Sequence, residues 1–171
     1  MKKIILSTLL ASSLAFAGSN TSALELELLD KGKSGTSYES FFDLAKSGDI
    51  DAQTMLGEMY LEGIIVEKDY EKAFFWLAKA ANKDNVKAQY LLGTMYENGL
   101  HVAKNLDRAV SWYKKAAKSG DVLAQFNLAL IYKEGKGGIQ KSMPEAFKWL
   151  KMVENSQQNI SHLASVNTDD I

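Results

Sequence analysis

The chain has 171 residues, 46% of them apolar and 24% charged, which suits one globular domain and leaves little room for two. Lys and Arg total 20 against 21 Asp and Glu, a formal net charge of −1, so the basic footprint that captures DNA or RNA is absent. There is no cysteine, which excludes disulfides, Cys-ligated zinc, thiol catalysis and a lipid-modified N-terminal cysteine.

Residues 1–17 carry the parts of a secretory signal in order: Lys2 and Lys3, an apolar run from Ile4 to Leu14, and Ala15-Phe16-Ala17. Cleavage after Ala17 is predicted, and Thr21-Ser22-Ala23 offers a second candidate point. The apolar run is about half the roughly 20 residues a membrane-spanning helix needs, so export without membrane insertion is expected, to the periplasm or outside the cell. Loss of Lys2 and Lys3 takes the net charge from −1 to −3. Residues 18–37 are rich in Ser, Gly and charge apart from Leu24–Leu29 and read as a flexible leader with at most a short helix.

From there the chain repeats itself every 36 residues. Ala52-Gln53-Thr54-Met55-Leu56-Gly57 aligns with Ala88-Gln89-Tyr90-Leu91-Leu92-Gly93 and with Ala124-Gln125-Phe126-Asn127-Leu128-Ala129. Tyr60, Tyr96 and Tyr132 correspond, as do Gly63, Gly99 and Gly135, and Trp76 and Trp112 are followed by Trp149 after one inserted residue. Residues 52–87 and 88–123 share 15 identities in 36. A period of this length means stacked helical hairpins, an all-α superhelix.

Within each unit the apolar spacing predicts two helices, near 51–62 and 70–82, 87–98 and 106–118, 123–134 and 143–154. Asp49, Asn85 and Asp121 stand before the first helices; Asp69, Asn105 and Ser142 stand before the second ones, and each can accept an orphan backbone N–H. Ser142 with Glu145 makes a capping box. Gly63, Gly99 and Gly135 sit where a first helix should stop in a left-handed conformation. Ser40 to Asp49 reads as the second helix of a degenerate unit, an N-terminal cap, because Ala45, Ala81 and Ala117 share the period. The tryptophans, at one fixed place in every unit, are expected in the core, with Trp112 in the middle unit packed more deeply than Trp149. Residues 156–171 are a polar tail or, through Ile160, Leu163 and Val166, a weak capping helix.

These residues resemble the Sel1-like repeats, relatives of the tetratricopeptide repeats. The likeness runs over residues 38–155, with repeats at 52–87, 88–123 and 124–160. It rests on Ala52, Leu56, Gly57, Tyr60, Gly63, Val66, Asp69, Lys72, Ala73, Trp76, Lys79, Ala80 and Ala81 and their counterparts. Departures are Ile65 and His101 for the second loop glycine, Ala129 for the helix glycine, and Met152-Val153-Glu154 for the terminal Lys-Ala-Ala. About three hairpins plus the capping helix are therefore expected.

No catalytic, cofactor or metal site emerges. His101 lies in a repeat loop and His162 in the tail, neither beside a Ser and acid that would build a nucleophile. Neither has a His or carboxylate at metal-ligand spacing. Gly135-Lys136-Gly137-Gly138 lacks the G-x-x-x-x-G-K-[ST] spacing of a phosphate loop and follows a predicted helix rather than a strand.

What varies between units points to a partner instead. Positions 52, 56 and 60 and their equivalents are constant in class, whereas Thr54, Tyr90 and Phe126; Glu58, Thr94 and Leu130; and Leu61, Glu97 and Lys133 change from unit to unit on another helical face. The resemblance to tetratricopeptide-like stacks implies that this face lines a concave groove for a protein or peptide, with Tyr90, Phe126 and Leu130 as apolar anchors. It implies a non-enzymatic interaction module: an immunity protein neutralising a secreted antibacterial toxin, a general envelope scaffold or adaptor, or a host-directed factor. The enzyme-class alternative, a β-lactam-binding or hydrolysing secreted Sel1-like protein, loses its disulfide framework with the missing cysteines.

Overall fold

The computed structural model describes residues 36–166, with side chains over 38–156. The expected secretory signal and leader residues 18–35 lie outside the described residues. A leading helix α1 (Thr36–Ser47) is followed by three hairpins: α2 (Ile50–Glu62) with α3 (Tyr70–Ala81), α4 (Val86–Asn98) with α5 (Leu106–Lys118), and α6 (Val122–Glu134) with α7 (Met143–Val166). No strand occurs among the described residues. Each helix packs on the next, and the second helix of one hairpin carries the first helix of the following one.

The helix starts follow from local chemistry. Asp49, Asp69, Asn85, Asn105 and Asp121 each accept the backbone N–H three residues on, at 2.7 to 3.0 Å. Gly63, Gly99 and Gly135 stop the first helices at φ near +72°. The two loop positions that lack the family's second glycine keep its geometry: Ile65 stands at φ 70° and His101 at φ 64°. A β-branched residue there is strained. Ile65 is 58% exposed and loses little burial when truncated. Ile65→Gly is therefore expected to raise stability by roughly 0.5 to 1 kcal/mol, read as a higher denaturation midpoint; a lower one would show that the loop is not strained.

Between units the stack is clamped by a recurring amide. Gln53, Gln89 and Gln125 are buried, and each donates Nε2–H to a carbonyl in the last turn of the preceding second helix: Ala45, Ala81 and Ala117, at 3.0, 3.3 and 3.0 Å. Each of these carbonyls also accepts the backbone N–H three residues on, from Gly48, Asp84 and Gly120, and the buried amide fills its second lone pair.

Three expectations need correction. The cap begins at Thr36, so the leader's last two residues are helical. Residues 156–166 are a continuation of α7 and not a separate capping helix, because nothing at 152–158 breaks the helix: there is no Gly or Pro in that stretch. Trp149 is buried, in the cluster formed by the last two hairpins, while Trp112 is only half-buried: it lacks the rings that Phe42 and Phe75 set against Trp76, the equivalent places holding Ala78 and Ser111.

The last unit also ends differently from the others. Phe74 on α3 meets Tyr96 of the next hairpin edge to face at 5.7 Å, and Leu106 on α5 lies under Gly137 of the next loop. The corresponding row on α7, Met143, Phe147 and Leu150, is exposed.

Candidate partner-binding groove

The first helices α2, α4 and α6 lie side by side and present the nine variable positions unequally. Thr54 is 4% exposed, its hydroxyl donated to the Ile50 carbonyl at 2.9 Å, and Leu61 is 7% exposed. Neither is a surface residue, because the neighbouring helix α4 closes over this part of α2. Glu58 reaches across to α4 and pairs with Lys87 at 2.7 Å; burial raises its carboxyl pKa above the ordinary value even though Lys87 opposes that. Thr94 donates its hydroxyl to the Leu91 carbonyl at 2.7 Å. Tyr90 is half-buried with its ring 5.8 Å from that of Tyr113, Phe126 is 44% exposed, Leu130 is half-buried and Lys133 is exposed.

Glu97 is the most engaged of the nine. It accepts the Tyr113 hydroxyl at 2.8 Å and the Lys136 ammonium at 2.5 Å. Burial alone would raise its pKa, but the two donors outweigh it and hold the carboxyl below its ordinary value. Burial, and then the Glu97 carboxylate, push the Tyr113 hydroxyl up. Lys136 comes from the inserted residue's loop, which descends far enough only because Gly137 has no side chain: a Cβ there would fall 2.6 Å from Leu106 Cδ2.

The two junctions between hairpins therefore differ in kind. Between the first and second hairpins an open cavity of about 470 Å³ is walled by Leu61, Tyr70, Tyr90, Leu91, Thr94 and Leu100, with Glu62, Lys68 and Asn98 at its edge. One period on, Leu61, Leu91 and Leu100 become Glu97, Asn127 and Lys136, and Leu77 becomes Tyr113. There the Lys136–Glu97 pair bridges the gap. Tyr70, Leu91, Leu100, Tyr113 and Lys136 were not among the expected groove residues. The signal was present in the period itself, in positions that switch from leucine to polar, but the loop and second-helix residues had to be placed beside the first helices to count.

Among the described residues no group of His, Cys, Asp and Glu is placed to hold a metal ion, and no helix is long and apolar enough to cross a membrane. His101 lies against the Phe74 ring at 5.6 Å. His162 falls outside the described side chains.

The Sel1 repeat profile matches residues 50–85, 86–121 and 122–152, more than half of the chain. The chain belongs to the Sel1 repeat family. The repeat frame of this Sel1 protein starts two residues before the one taken from Ala52, with the same 36-residue step. It is 46% identical over 41 residues to the sel1-like repeat-containing protein L18 of Acanthamoeba polyphaga mimivirus, covering 24% of this chain and 7% of that one. Its fold is similar to that of c5321, described as a protective antigen present in uropathogenic Escherichia coli strains displaying an SLR fold. The TM-score is 0.67 and the identity 37%, over 70% of this chain and 26% of that one. A Sel1 repeat protein from Oxalobacter formigenes is similar with a TM-score of 0.65 and 30% identity, over 68% of this chain and 88% of that one. The chain thus spans only a small part of the first two relatives. Sel1 stacks are generally protein-interaction scaffolds, and that coarse description fits this one.

Proposed function

We propose that this Sel1 protein is an exported, non-enzymatic module that binds a protein or peptide partner along the inner face of α2, α4 and α6. The observation that carries the reading is the open cavity of mixed polar and apolar lining at the first junction, beside the half-exposed aromatics Tyr90 and Phe126. Such a surface takes bulky apolar side chains, and the flanking Glu62, Lys68 and Lys133 supply a polar rim. Thr54 is too buried to touch a partner and Leu61 becomes cavity wall, Glu58 and Glu97 are engaged by Lys87 and Lys136, and Tyr90, Thr94, Phe126, Leu130 and Lys133 remain as contact residues. Export belongs to the same proposal and rests on the order of Lys2, Lys3, the apolar run and Ala15-Phe16-Ala17. Neutralisation of a delivered toxin is its narrower form, and it rests on the proposed export.

Tyr90→Ala with Phe126→Ala is expected to weaken a captured partner by more than about 1 kcal/mol, fivefold or more in affinity. The partner would be recovered from envelope extract with the wild-type protein and measured by calorimetry. The denaturation midpoint should stay within a few degrees. Full affinity in the folded double variant would place the partner on another surface.

A further inference from the structure

The first junction cavity is lined by leucines at corners that one period later hold the Lys136–Glu97 salt bridge. A second cavity lies next to it along the same edge, the side of the loops that join first to second helices. It is bounded by Tyr38, Tyr60, Val66, Glu67, Asp69 and Lys72. Lys68 is a wall of both. Tyr38 stands in the first turn of α1, its hydroxyl 2.6 Å from that of Tyr60. The described chain therefore begins at this edge, beside the cavity that adjoins the junction cavity.

The preceding segment has the matching chemistry. Leu24-Glu25-Leu26-Glu27-Leu28-Leu29 is its apolar stretch, joined to α1 by Asp30-Lys31-Gly32-Lys33-Ser34-Gly35. An extended chain would put Leu24, Leu26 and Leu28 on one side and Glu25 and Glu27 on the other. Six linker residues reach about 20 Å, enough to pass one cavity and enter the next. Leucines suit walls of Leu61, Leu91 and Leu100, and the glutamates, turned away from them, meet an edge where Lys68 stands beside Glu62 and Glu67.

We propose that Leu24–Leu29 of this same chain dock in the junction cavity between the first and second hairpins, running past Tyr38 along the edge that Lys68 shares. Docked there, the leader is an intramolecular occupant of the groove that a partner must displace; that consequence rests on the groove-binding reading, whereas the docking itself is measured without a partner.

Backbone amide hydrogen exchange of the purified protein, full-length or processed at Ala17, provides the test, with a synthetic peptide of residues 18–35 as the unbound reference. Amides of residues 25–29 are expected to exchange at least about tenfold more slowly in the protein than in the peptide. Equal rates would overturn the proposal. Two variants locate the site. Leu91→Asn with Leu100→Lys writes two of the second junction's polar residues into the first and should return the leader to peptide-like exchange, with protection of Leu92 and Met95 showing that the stack stays folded. Leu26→Asp with Leu28→Asp changes only the leader and should do the same. A leader that stays protected in both folded variants lies elsewhere, and the proposal fails.

Discussion

Trp149→Ala should cost roughly 3 to 5 kcal/mol and Trp112→Ala only about 1 to 2. The ring of Trp149 is 3% exposed, packed into the core of the last two hairpins, whereas Trp112 is half-buried with the Lys115 ammonium 4.2 Å over its ring. Position in the stack argues the other way, since Trp112 has a unit on each side and Trp149 belongs to the last hairpin. Local neighbours decide, because cavity cost follows the atoms that line the site. The indole Nε1–H of Trp149 is buried without a partner among the described residues. Trp149→Phe, which removes that orphan donor and keeps most of the ring, should therefore lose far less than Trp149→Ala. Equal urea midpoints for the two alanine variants would contradict this ordering.

The second large effect is expected at Gly93. A Cβ built there falls 2.5 Å from both Cδ1 and Cε1 of Tyr113, a fully buried ring whose hydroxyl is tied to Glu97. The ring has nowhere to go without breaking that bond, so Gly93→Ala should cost about 2 to 3 kcal/mol by overpacking. The gain in helix propensity, about 1 kcal/mol, offsets only part of it. The third hairpin shows what the crossing tolerates: Ala129 stands at the glycine position, and the residue equivalent to Tyr113 is Leu150, which is 38% exposed. Gly93→Ala combined with Tyr113→Leu should then lose less than the sum of the two single changes, a coupling of at least about 0.5 kcal/mol in a double-mutant cycle. Strict additivity would mean that Tyr113 yields without strain.

The six hairpin helices, their Asp and Asn caps and the Gly63, Gly99 and Gly135 stops were all legible in the amino-acid sequence, because each depends on residues within a few positions of one another. The 36-residue period also carries the family, since every unit must present the same small and aromatic residues to stack. Burial was legible only on average. Trp112 is shallower than Trp76 because Ala78 and Ser111 replace Phe42 and Phe75, and the burial of Trp149 is set by how the last two hairpins pack. Thr54 and Leu61 share their helical face with Tyr90 and Phe126, yet α4 closes over the first pair. The difference between a leucine-lined junction cavity and a bridged junction needed three distant pieces brought together: a first helix, the loop of the following hairpin with its inserted residue, and Gly137 pressed against Leu106. Local sequence determines which helices form and where they stop. The tertiary structure decides which of their faces stay open, because exposure is set by the size of side chains that only the stacking brings together.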